Sequence, residues 1–154
     1  FLREADMAGR LQHPDIVQIL DAGETDGLAW IAMELIDGTD LGQHTQPARL
    51  LPVPVVLRAI ARVADALAYA HTRGVTHRDI KPENIMLDLP REGVKVMDFG
   101  VARLADASRT RTGVVLGTPT YMSPEQLSGQ HVDGRANRIG IGVVGIVHHG
   151  QGVA

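Results

Sequence analysis

Apolar and polar residues alternate along the chain in patterns that predict most of its elements. Leu2, Met7 and Leu11, with the small Ala5 and Ala8, recur at helical spacing among Arg3, Glu4, Asp6 and Arg10, which predicts an amphipathic helix over 1–12. His13-Pro14 stops it, because proline lacks the backbone N–H that the next turn needs. The apolar runs at 16–20 and 28–33 read as two strands flanking a Gly- and Asp-rich turn at 21–27, an antiparallel pair. The clearest helix covers 53–73. Val56, Ile60, Val63 and Leu67 make one apolar face, Arg58, Arg62, Asp65 and Tyr69 face the other way, and Arg73 followed by Gly74 marks its end. Ile85-Met86-Leu87 and Val94-Lys95-Val96-Met97 predict two short strands joined by a loop containing Pro90 and Gly93. Residues 101–122 are polar and Thr-rich without periodicity, and a long loop of that kind inside a domain usually carries function.

Composition narrows the class. The 154 residues are 44% hydrophobic and 21% charged, enough for one globular unit with a core. A net charge of -3 and the lack of a dense Lys/Arg block argue against nucleic-acid binding. With no cysteine, disulfides and thiolate metal sites are excluded, which fits a reducing cytoplasmic setting. The apolar run at 139–147 is far shorter than the roughly 20 residues a spanning helix requires, so no membrane segment is expected in this piece. Phe1-Leu2-Arg3-Glu4-Ala5 lacks an initiator Met and the order of a signal peptide, so the chain reads as starting mid-protein.

The chemistry concentrates in His77-Arg78-Asp79-Ile80-Lys81-Pro82-Glu83-Asn84, with Asp98-Phe99-Gly100 beginning fourteen positions after Asn84. A hydroxyl attacking the terminal phosphate of ATP needs a carboxylate to orient it, a cation against developing charge and oxygen ligands for Mg²⁺. Asp79, Lys81, Asn84 and Asp98 supply that set in order.

These motifs, followed by Gly117-Thr118-Pro119-Thr120-Tyr121-Met122-Ser123-Pro124-Glu125, resemble the protein kinase superfamily, and the wording of the last resembles the eukaryotic-like serine/threonine kinases of bacteria. The resemblance implies an α+β, two-lobed, protein-kinase-like fold truncated at both ends. Residues 1–36 would be a partial N-lobe, the αC helix and following strands, and 37–154 the hinge with a partial, mainly helical C-lobe. It implies ATP and Mg²⁺ as cofactors and Ser/Thr of proteins as acceptors. Asp79 would orient the substrate hydroxyl, Lys81 would sit by the transferred phosphate, Asn84 would complete the catalytic set, and Asn84 with Asp98 would hold the metal. His77 would be a packing post beneath Phe99, and Arg78 would pair with a phosphate on the activation loop, Thr110 and Thr112 being the candidate acceptors and Ser108 a weaker one. Thr118 would belong to the substrate platform. Glu4 would be the helix Glu that pairs with a strand Lys. Met33 would be the gatekeeper, the backbone from Glu34 to Ile36 would meet adenine, Asp40 would reach the ribose, and Met86 and Asp98 would complete the nucleotide site. Autophosphorylation or kinase dimers would be the further partners, and a membrane anchor would lie outside this chain.

The match has limits. Neither the Gly-rich loop nor the strand Lys of the family precedes Asp79, and Asn137 replaces the Asp expected after Val132-Asp133-Gly134-Arg135-Ala136. Gly140-Ile141-Gly142-Val143-Val144-Gly145 fits a dinucleotide pattern, but the chain ends nine residues later, too soon for the acidic partner. The fragment alone is therefore expected to have little activity. A non-catalytic, pseudokinase-like regulatory module is the alternative, against which the intact quartet weighs. A small-molecule phosphotransferase is the other, against which the 117–125 segment weighs.

Overall fold

In the computed structural model the described residues are 2–99 and 121–128, with side chains described from Ala5 onward except at 126 and 127. The chain begins with helix α1 (Leu2–Gly9), followed by strands β1 (Ile19–Thr25) and β2 (Leu28–Met33). Strand β3 (Thr39–Asp40) comes next, then helix α2 (Val53–Thr72), strands β4 (Ile85–Asp88) and β5 (Gly93–Val96), and the short helix α3 (Pro124–Leu127).

The first hairpin differs from its prediction. The strand expected at 16–20 starts at Ile19 and runs to Thr25, and the turn is only Asp26-Gly27, both with positive φ (52° and 74°). Two residues of that handedness match the twist of the flanking strands, so a short turn with Asp-Gly at its centre closes the pair. Ile16 and Val17 do something else: Ile16 forms an isolated parallel bridge with Val96, the Val17 N–H donates to the Val96 carbonyl at 3.0 Å, and the Val96 N–H donates to the Asp15 carbonyl at 2.8 Å. The segment between α1 and β1 is thus stitched to β5. On the hairpin, Leu20, Leu28 and Trp30 remain exposed.

Helix α2 occupies the predicted span, but its buried stripe is broader and turned towards the alanines. Val56, Ala59, Val63, Ala66, Leu67 and Ala70 are buried, whereas Ile60 is only partly so. Arg62 and Tyr69, expected to face solvent, have partners instead. Arg62 pairs with the buried Asp15, and the Tyr69 hydroxyl accepts from the Gln12 N–H at 3.0 Å while its ring meets His13, centroids 5.0 Å apart. Small alanines on the stripe let neighbouring backbone come close, and polar residues at its edges tie the helix to the 12–15 segment. The end of α2 is as predicted: Gly74 at φ 73° lets its N–H reach the His71 carbonyl and the Val75 N–H reach Ala70, both at 3.0 Å. Buried Val75 then turns the chain towards the 77–84 stretch.

Strand β3, two residues long and too short to read from pattern, pairs with β4, which pairs with β5. The registers align Asp40, Met86 and Lys95 in one row across this sheet and Thr39, Leu87 and Val94 in the next. Directly opposed residues share a face. Leu87, Val94 and Val96 are buried against the core, so the other face carries Asp40, Met86 and Lys95. Gly38 enters β3 so close to β4 that an added Cβ would collide with the Leu87 carbonyl group, 2.9 Å from its carbon.

Candidate functional site

The 77–84 stretch leaves Val75 as an irregular loop and ends in a single 3₁₀ turn, Pro82–Asn84, immediately before β4. Proline at the first position suits that turn, since its missing N–H would have had no partner there. The Asn84 N–H closes it on the Lys81 carbonyl at 3.0 Å, and the Met97 N–H donates to the Asn84 carbonyl at 2.9 Å, extending the β4–β5 ladder by one bond. That last bond brings the segment holding Asp98 beside the one holding Asn84.

Asp79, Lys81 and Asn84 meet as one cluster. Lys81 Nζ lies 3.0 Å from Asp79 Oδ2, and Asn84 Nδ2 donates to the Asp79 carbonyl at 2.8 Å and to Oδ2 at 3.1 Å. With its amide nitrogen engaged twice, Asn84 keeps an amide oxygen as acceptor. Asn84 is buried, while the Asp79 and Lys81 side chains are each 25% exposed, accessible enough to meet a substrate. Asp98 is exposed by area, yet its carboxyl is pushed above the ordinary range, mainly by loss of solvent around it and also by the charge of Asp79, with Lys81 opposing. The carboxylates of Asp79 and Asp98, with the Asn84 amide oxygen and one ammonium, form a place where a divalent cation would be favoured. Arg78 and Asp98 both have φ in the left-handed region, 70° and 60°. Side chains there cost of order 1–3 kcal/mol, and such strain gathers at functional sites.

His77 holds the arrangement from below. It is fully buried, its ring centroid 4.6 Å from that of Phe99, with Nε2–H donating to the Met97 carbonyl at 2.6 Å and Nδ1 accepting from the Asp79 N–H at 3.2 Å. One nitrogen donates and the other accepts, so the ring is neutral. Burial drives its pKa down to about 4, against the hydrogen bond to Met97 and the charge of Asp79, which pull it up. It has neither the exposure nor the pKa of an acid–base residue, in keeping with a packing role.

The expected nucleotide residues lie nearby. Met33 and Asp98 line one small cavity, about 10 Å³, with Ala8, Ile16 and Phe99. Leu35 is almost wholly exposed and Ile36 partly buried in the segment that joins β2 to β3. Asp40 caps the 3₁₀ turn Leu41–His44, accepting from the Gln43 N–H at 3.2 Å and from Gln43 Nε2 at 2.6 Å, so its carboxylate is already in use on one side. The Glu34 side chain, expected to matter only through its backbone, accepts from Lys95 Nζ at 2.5 Å and from the Gln18 N–H at 2.8 Å. Lys95 and Gln18 drew no attention in the sequence. The alternation of 94–97 turns Lys95 to the face opposite Val94 and Val96, and no local pattern singles out Gln18.

Glu4 lies in α1, its side chain outside the described residues. Ser108, Thr110, Thr112, Thr118, Asn137 and the 140–145 glycine pattern also lie outside them. A cleft of about 540 Å³ between Leu51, Val55, Arg58, Leu87 and Arg91 contains none of the expected site residues. No described helix is long and apolar enough to cross a membrane.

Comparison with known proteins shows the family and the fold. A family model described as a protein kinase domain matches residues 1–148. The serine/threonine-protein kinase pkn3 of Myxococcus xanthus is 45% identical over 154 residues, covering 94% of this chain and 28% of that protein. The serine/threonine-protein kinase PknF of Mycobacterium tuberculosis is 44% identical over 146 residues, covering 90% of this chain and 30% of its own. Among solved structures, the PknI kinase domain of Mycobacterium tuberculosis superposes with a TM-score of 0.77 at 39% identity over 95% of this chain and 54% of that one. The chain therefore spans under a third of these curated relatives and about half of that solved kinase domain.

Proposed function

Since the chain belongs to the protein kinase domain family, we propose that it is the catalytic-loop half of a serine/threonine protein kinase domain, whose whole transfers the γ-phosphate of ATP to Ser or Thr of proteins. The observation that carries this is the Asp79–Lys81–Asn84 cluster with Asp98 beside it, a base, a cation and two oxygen donors packed on the neutral His77. Units 1–36 and 37–154 correspond in this reading to the partial N-lobe and to the hinge with partial C-lobe.

Phosphoryl transfer asks little covalent work of a protein and much positioning. Asp79, braced by Asn84 on two atoms, would hold the acceptor hydroxyl and take its proton. Lys81, already 3.0 Å from Asp79 Oδ2, would neutralise charge on the moving phosphoryl group. Asn84 through its amide oxygen and Asp98 through its carboxylate fit Mg²⁺, a hard cation content with one or two protein oxygens when phosphates and water supply the rest. An ion held by Asn84 and Asp98 would supply charge screening to the phosphates. Glu34 to Ile36 by backbone, with Asp40 and Met86, would receive the adenosine, and Glu4 would pair with a strand lysine. Thr110 and Thr112 would be the phosphorylated switch read by Arg78, and Thr118 part of the platform for a protein substrate. Autophosphorylation between copies in the cytoplasm, the parent anchored through a segment outside this chain, completes the proposal. No Gly-rich phosphate loop precedes Asp79 within the 154 residues, so the chain by itself should transfer phosphate slowly or not at all.

Calorimetric titration with ATP, with and without Mg²⁺, tests the site. The reading expects Mg²⁺ to tighten ATP binding at least tenfold, Asp98→Asn to remove that gain, and Asp79→Asn to keep it. Equal Mg²⁺ dependence in the parent chain and Asp98→Asn overturns it.

A further inference from the structure

We propose that Lys95 is a positioning residue for nucleotide binding, clamping the Glu34–Ile36 backbone at the height of the Asp40–Met86 row, an inference that rests on the adenine reading of that segment.

Three segments converge on the Lys95 ammonium. Lys95 belongs to β5, Glu34 follows β2, and Ile16 belongs to the segment between α1 and β1 that bridges to β5; Lys95 Nζ donates to Glu34 Oε1 at 2.5 Å and to the Ile16 carbonyl at 3.3 Å. Glu34 is held from its other side as well. Its Oε1 accepts from the Gln18 N–H at 2.8 Å and its own N–H donates to the Gln18 carbonyl at 2.9 Å, a closed ring of bonds that fixes both its side chain and its backbone. Gln18 in turn donates through Nε2 to the Gly9 carbonyl at 3.4 Å, the last residue of α1.

An exposed Lys–Glu pair contributes little, because water screens it and two long side chains must be ordered. Here the side chains are 26% and 32% exposed, and the carboxylate carries a backbone donor besides the ammonium. Burial raises the Glu34 carboxyl, but the bonds from Lys95 and Gln18 and the Lys95 charge outweigh it and hold the group below its ordinary range, so it stands as a carboxylate at neutral pH. Register supplies the link to the ligand. Lys95 stands directly opposite Met86, and Met86 opposite Asp40, so the residue that grips Glu34 lies in the row that would floor the base and reach the ribose. Leu35, one residue beyond the clamp, is 97% exposed and has no packing to hold it, so the backbone that would meet adenine is placed by what grips its neighbour.

Two measurements on the 154-residue chain test this with Lys95→Met and Lys95→Arg. Amide exchange by NMR reads the Gln18 and Glu34 N–H groups, and titration reads affinity for Mg·ATP and for inorganic tripolyphosphate, which lacks the base. Lys95→Met should speed exchange at those two amides tenfold or more with α2 unchanged, weaken Mg·ATP about tenfold and leave tripolyphosphate as it was. Lys95→Arg should recover most of both effects. Unchanged exchange in Lys95→Met overturns the clamp. Faster exchange with unchanged Mg·ATP affinity, or an equal loss for tripolyphosphate, overturns its role in placing the base. A parent chain that binds no ATP refutes the adenine reading and with it that role, while the exchange rates still decide the clamp.

Discussion

Asn84 donates one amide nitrogen to two oxygens of Asp79, the backbone carbonyl at 2.8 Å and carboxylate Oδ2 at 3.1 Å, and is itself buried. The four-residue loop between them is therefore closed on itself before any ligand arrives. A site that moves a phosphoryl group by positioning gains from such preorganisation.

Asn84→Ala removes both bonds and leaves the Asp79 carbonyl without that partner. A loss of about 2 kcal/mol is expected, of the size found when a partly buried acceptor loses its donor. Urea unfolding followed by circular dichroism checks it, and a change below a few tenths would mean that water replaces the amide.

His77 makes stability depend on pH. Its folded pKa, about 4, lies below the ordinary 6.5, so the unfolded chain takes up the proton first. The contribution is fully present above pH 6.5 and is lost as pH falls from there towards 4, at roughly 1.4 kcal/mol per unit and about 3 kcal/mol in all. Urea midpoints at pH 7, 6, 5 and 4.5 should fall more steeply for the parent chain than for His77→Phe. Parallel curves for the two would contradict the buried neutral ring.

Arg62 and Asp15 predict an asymmetric pair of mutants. Asp15 is 6% exposed and its carboxylate receives both Arg62 Nε, at 3.0 Å, and the second guanidinium nitrogen. Arg62→Ala leaves a buried charge unpaired, for which 3–5 kcal/mol is usual in a dry interior. With the Arg62 side chain 40% exposed, water screens part of that and about 2 kcal/mol is expected. Adding Asp15→Asn should restore part of the loss, as a double-mutant cycle in thermal unfolding would measure.

Two glycines separate collision from backbone strain. Gly38→Ala drives a methyl into the Leu87 carbonyl group, so β3 must leave β4, at a cost of about 2–3 kcal/mol. Gly74→Ala meets open space and costs only the left-handed φ, about 1 kcal/mol. Reversal of that order in denaturation would mean that β3 is easily displaced.

Helix α2, the β4–β5 hairpin and the quartet Asp79, Lys81, Asn84 and Asp98 could be read from the sequence because each carries a local signal: a helical apolar stripe, a Gly stop, or a motif with fixed spacing. The position of β1 could not, since 16–20 is apolar enough to look like one strand while 16 and 17 are bound to β5, a long-range contact that no local pattern encodes. The roles of Arg62, Tyr69 and Lys95 were hidden for the same reason. Each looks like a solvated polar residue until the partner, 47 to 61 positions away in sequence, is known.

The bridge between Ile16 and Val96 also sets an order for assembly. Its partners are eighty residues apart, so α1 and the first hairpin can form early in synthesis, but the strip joining them to the catalytic loop must wait until β5 has left the ribosome. Contacts of such separation are slow to close, and until then the apolar residues at 16 and 17, buried in the finished chain, stay uncovered. Residues 16 and 17 thus depend for their cover on a strand made eighty residues later.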